Sequence, residues 1–132
     1  GDPSCPTCAA PTTIQCGDTL SGDTSGGPTN IDDYGCGQYT ETGAEAYYVF
    51  SHGSGGAVTV DLVGSGSADL ELMLVGESGG DCDYQNSCLE YSQVSGGTEQ
   101  LTFTATAGSN YYIIVEGYSG ASGPFDLTVT CN

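Results

Sequence analysis

Apolar and polar residues alternate along this chain with a period of two. Val58, Val60 and Leu62 alternate with Thr59 and Asp61. Leu70, Leu72 and Leu74 alternate with Asp69, Glu71 and Met73. Leu101, Phe103 and Ala105 alternate with Thr102 and Thr104, and Phe125, Leu127, Val129 and Cys131 with Asp126, Thr128 and Thr130. Such alternation puts successive side chains on opposite faces of a half-buried strand. Further strands are expected at 13–16, 45–50 and 88–94, and in the nearly continuous apolar run at 111–116. No helical stripe interrupts the pattern. About eight short strands separated by Gly/Ser turns predict an all-β fold, an antiparallel β-sandwich of jelly-roll type.

Residues 1–13 hold three prolines and no periodicity, so they are expected to form an extended N-terminal arm, with 14–132 as one sandwich domain. Residues 21–37 read as turns. The chain opens at Gly1 without a signal or membrane span, the form expected of a bacterial-type secreted protein after signal removal.

Charge sharpens the picture. The 132 residues include 17 acids, one histidine and no lysine or arginine, a formal charge of −17. Every carboxylate therefore lacks a permanent cationic side-chain partner. Nucleic acid and anionic membrane are excluded as partners, as are Schiff-base chemistry and arginine clamps. A divalent cation would relieve the repulsion, and calcium is the ion that carboxylate oxygens suit. Asp69 and Glu71 share one face of a strand and are the leading ligand candidates. That face lies opposite Leu70 and Leu72, so the two should look outward or toward an edge. Asp32, Asp33 and Glu45 follow. An EF-hand at Asp81 and Asp83 is excluded, because the sixth loop position lacks glycine and Ser92 stands where the last glutamate belongs.

Seven cysteines in so short a chain point to disulfides and an oxidising compartment. Cys82 and Cys88 flank a tight loop and are expected to bridge. Cys16 and Cys131 are in phase with the inward residues of the first and last strands and would tie the termini together. Cys5, Cys8 and Cys36 remain, with Cys5 or Cys8 the available partner for Cys36 and one thiol left for an intermolecular link. The CPTC at 5–8 lacks the βαβ context of a redox motif and the second ligand pair of a zinc site. His52 follows a strand in FSHGSGG and reads as a turn residue. No catalytic set is apparent. Tyr47, Tyr111 and Tyr118 are candidates for a binding surface.

The order of short motifs adds a resemblance. CGDTLSGDTSG at 16–26, DDYGCG at 32–37, TGAEAYYVF at 42–50, ADLELMLV at 68–75, CDYQNSC at 82–88 and TATAGSNYYIIVEGYSGASGPFDLTVTC at 104–131 together resemble the bacterial pre-peptidase C-terminal domain. The resemblance implies a secreted β-sandwich found beside proteases and other exported enzymes, generally accessory, in some members calcium-binding or substrate-binding. The family's acidic pair near DLDL has Glu71 as its second member here, and its aspartate before GY is Glu116. Both keep the carboxylate.

Two functions follow. One is a non-enzymatic, calcium-dependent, self-assembling extracellular subunit, a homo-oligomer or filament joined through the arm. The other is an accessory module of an exported enzyme that binds polysaccharide or protein.

Overall fold

In the computed structural model the described residues are 8, 10–29, 43–66, 68–79, 81–83, 87–93 and 98–131. They form β1 (Thr12–Thr13), β2 (Thr19–Asp23), β3 (Ala46–Ser51), β4 (Gly56–Gly64), β5 (Leu70–Val75), β6 (Glu77–Ser78), β7 (Asp81–Cys82), β8 (Cys88–Ser92), β9 (Thr98–Ala105), β10 (Asn110–Gly117) and β11 (Pro124–Cys131). A 3-10 turn, Tyr118–Gly120, joins the last two.

Two sheets face each other. One has the order β1-β3-β10-β5-β8 and the other β2-β11-β4-β9. Without the short parallel addition of β1 to β3, this is the eight-stranded antiparallel jelly-roll order. The alternation explains the interior. Val58, Val60 and Leu62 of β4 and Phe125, Leu127 and Val129 of β11 meet Leu70, Leu72 and Leu74 of β5 and Ile113 and Val115 of β10. A Phe103 ring lies 5.0 Å from Tyr111 and 6.2 Å from Phe50, within the range where tilted and edge contacts are favourable.

The first sheet is buried on both faces. Its outer face carries Tyr47, Met73, Val75, Tyr112 and Ile114, packed with Cys8 and Cys82. This explains why β5 is buried at every position, where simple alternation predicts a wet face. The cover is covalent: Cys8 is bridged to Cys82, 74 positions away. Cys8 is 2% exposed, and its amide donates to Asp81 Oδ1.

Two expectations are thereby corrected. Cys82 does not pair with Cys88. Cys88 is itself disulfide-bonded, to none of the other described cysteines. Cys8 is not an intermolecular thiol. The described part of the arm also belongs to the sandwich, since Thr12 and Thr13 pair with Tyr48 and Val49, and Ile14 is in the core. The physical reason is that the outer face of β5 and β10 is apolar and needs a cover, which local loop spacing does not register. Cys16 and Cys131 are joined and close the two ends of the domain. Cys5 and Cys36 lie outside the described residues.

Candidate functional site: a buried carboxylate centre

β5 and β10 pair antiparallel with Glu71 directly opposite Glu116. Glu71 is 2% and Glu116 0% exposed. β3 lies on the other side of β10, with Ala46 opposite Val115. Glu45, one position earlier, is thus in register with Glu116, and it too is buried. A row of buried glutamates therefore crosses β5 and β10 and reaches the residue before β3. The Tyr47 hydroxyl donates to Glu45 Oε1.

At the β5 end of this row the carboxylates converge. Asp69, Glu71 and Glu99 each offer an oxygen, and these oxygens lie within 4.8 Å of one another. Glu99 comes from β9 of the opposite sheet and is 1% exposed, with the Ser92 hydroxyl donating to its Oε2. Asp69 Oδ1 is buried and receives no hydrogen bond, while the Asp69 carbonyl accepts from the Tyr118 amide. Removing a carboxylate from water costs several kcal/mol unless a cation or several donors replace the water. No cationic side chain exists in this chain except His52.

The centre fits a hard divalent cation. Its three converging donors are carboxylate oxygens, calcium completes its six to eight oxygen ligands with carbonyls and water in flexible geometry, and Asp69 presents a buried oxygen with no hydrogen bond to it. Asp69, Glu71 and Glu99 would hold the ion. Its charge would supply the neutralisation that the fold otherwise lacks.

The sequence candidates are distributed as follows. Asp69 and Glu71 are together, and Glu45 lies along the same row. Glu71 is buried, where the sequence pattern put it outward or toward an edge, and a carboxylate oxygen of it lies within 4.8 Å of one of Glu99 from the opposite sheet. Asp32 and Asp33 lie outside the described residues. Glu99 was not singled out, yet the signal was present: it is in phase with Leu101, Phe103 and Ala105, so an acid falls on a core-facing register. Tyr47 and Tyr111 are packed at 8% exposure, and Tyr118 is exposed. His52 Nδ1 accepts from the Ser54 and Gly55 amides, which makes it the turn residue expected from sequence. It lies beside Cys16 and Cys131, whose sulfurs are already joined.

Tyr112 belongs to the outer apolar cluster with Cys8 and Cys82, and its hydroxyl donates to Glu77 of β6. Burial, followed by the negative charges of Glu77 and Asp81, pushes its phenol above the ordinary tyrosine range. A phenol whose pKa rises on folding adds stability that is complete below the unfolded value near 10. That contribution is lost as pH climbs through the folded pKa. Melting temperature should therefore fall above about pH 10, and Tyr112→Phe should flatten part of the decline. An unchanged alkaline limb in the variant would refute this assignment.

The fold and the acidic motifs now meet the comparisons. The sequence model of the bacterial pre-peptidase C-terminal domain matches residues 44–117. The chain belongs to this family. That match contains Glu45, Asp69, Glu71, Glu99 and Glu116. A virulence metalloprotease of Vibrio anguillarum is 36% identical over 81 residues, which is 61% of this chain and 12% of that protein. The pre-peptidase C-terminal domain of a collagenase from Bacillus anthracis superposes with a TM-score of 0.63 at 20% identity, covering 90% of this chain and 93% of that one. PliG of Aeromonas hydrophila, a periplasmic inhibitor of g-type lysozyme, superposes at 0.57 with 17% identity over 92% and 96% of the two chains. At these identities the structural likenesses speak for the fold.

Proposed function

We propose that this pre-peptidase C-terminal domain is a non-catalytic accessory module of an exported bacterial enzyme, binding the protein or polysaccharide on which that enzyme acts. Calcium at Asp69, Glu71 and Glu99 holds its fold. The observation that carries the reading is the family match over 44–117. The relatives agree with it, one being a metalloprotease and one a domain of a collagenase. Disulfides at Cys8–Cys82 and Cys16–Cys131 suit an exported chain.

The filament reading is less well supported. It needs a free arm to lie on a neighbour, and Cys8, Thr12 and Thr13 are engaged with the chain's own sandwich.

The test is co-sedimentation of the purified chain with collagen fibres, chitin and cellulose, in calcium and in excess chelator. Retention on one of the three, reduced by chelator, is the expected result. Recovery of all the protein in every supernatant would overturn the binding-module reading.

A further inference from the structure

At the end of the sandwich remote from the Asp69 cluster in sequence register, a cleft of about 350 Å³ opens between the β5–β6 junction, β8 and the β9–β10 turn. Its walls are Gly76, Glu77, Ser87, Leu89, Ser109 and Asn110. The size is at the low end of ligand pockets, enough for one long side chain or one sugar ring.

The chemistry of the wall is one-sided. Asn110 Nδ2 and the Tyr112 hydroxyl both donate to Glu77 Oε2, at 3.2 and 3.4 Å. Both contacts fall on one oxygen of the carboxylate. No described residue donates to Glu77 Oε1 or to Asn110 Oδ1. The Ser87 and Ser109 hydroxyls likewise make no hydrogen bond to a described residue, although both residues are held by their backbones: Ser87 O accepts from Gly76, and the Ser109 amide donates to Thr106. Among the described residues, acceptors without a donor thus outnumber donors without an acceptor. Glycine at 76 leaves the floor open, since a Cβ there would stand 2.5 Å from Ser87 Oγ and displace that hydroxyl. Leu89, 47% exposed, supplies an apolar wall for the stem of a ligand.

We propose that this cleft takes an arginine side chain of the protein substrate, the guanidinium on Glu77 and Asn110 and the methylenes along Leu89. A planar fork of five donors matches a wall of carboxylate, amide and hydroxyl oxygens better than a neutral sugar does, since each sugar hydroxyl also brings acceptors. The field agrees: the chain carries −17 and no basic residue to compete for Glu77. The inference rests on the binding-module reading and narrows its partner to polypeptide.

The test uses the whole chain, isotope-labelled, titrated with the capped tripeptide Gly-Arg-Gly at physiological salt, with Gly-Lys-Gly and chitotriose alongside. Amide shifts should centre on Gly76, Glu77, Ser109 and Asn110, with the lysine peptide weaker. Glu77→Gln should weaken the arginine peptide about tenfold or more. Asp126→Asn, the same charge change on the exposed face of the other sheet, should alter it less than twofold. Equal losses in the two variants would reduce the effect to net charge and overturn the proposal. Chitotriose shifting these amides while the arginine peptide does not would overturn it in favour of a glycan site. If the chain sediments with a substrate and Glu77→Gln sediments equally well, the cleft proposal fails while the module reading stands.

Discussion

Replacing Cys16 and Cys131 together by alanine should lower the melting temperature by about 15 °C. The bridge spans 115 positions and therefore constrains almost the whole unfolded chain. Loop-closure entropy for a span of that length is about 4–5 kcal/mol. In a domain of this size each kcal/mol moves the midpoint by roughly 3–4 °C. Cys8 and Cys82 close a span of 74, for which the same relation gives nearly as much. Their removal differs in kind. It frees the segment that covers Met73, Val75, Tyr112 and Ile114. Amide exchange should therefore rise across β5 and β10 in the Cys8/Cys82 variant and stay protected in the Cys16/Cys131 variant. Thermal melts and exchange on the two double variants provide the check. A fall of under 3 °C in both would mean that the bridges follow stability rather than supply it.

The sandwich was legible because β4, β9 and β11 alternate apolar and polar residues over five positions or more and β10 reads as a nearly continuous apolar run. β2 was not. Its sequence, TLSGD, holds one large apolar residue beside glycine, serine and aspartate, all poor strand formers. It forms an edge strand because β11 offers a ladder from Thr128 to Pro124. The partner of Cys82 departs from the spacing along the chain for a related reason. Spacing along the chain favours the short Cys82–Cys88 loop, whereas the fold selects Cys8 because an apolar outer face must be covered.

The acidic centre was half legible. Spacing put Asp69 and Glu71 on one face, and the family resemblance drew attention to Glu116. That Glu71 and Glu116 stand opposite each other is a property of register, which no local pattern encodes. Glu99 reaches Asp69 and Glu71 from the other sheet, so its role depends on the two sheets facing each other. The clue in its phase with Leu101 was real. An acid on a core-facing register is a stronger sign of a site than an acidic pair in a turn, because burial removes the solvated alternative.

Calcium should raise the melting temperature by about 10 °C over chelator, and Glu71→Gln should abolish that increment while raising the calcium-free value. The first part follows from mass action: an ion bound only by the folded state, at a hundred times its dissociation constant, adds about 2.7 kcal/mol. The second part has the opposite sign for a physical reason. Without the ion, Glu71 must either hold a charge opposite Glu116 or take up a proton, each at a cost, and the amide has the same shape without the charge. Glu99→Gln should behave alike, since the amide oxygen still accepts from Ser92. Glu90→Gln, an exposed site on β8, should retain the full calcium increment and shift the baseline little. These variants separate the ion's place from its effect. A calcium increment that survives both Glu71→Gln and Glu99→Gln would move the ion away from this centre. No increment in the unaltered chain would leave the buried glutamates neutralised by protons instead, because carboxylates in this number cannot remain charged and dry without a cation.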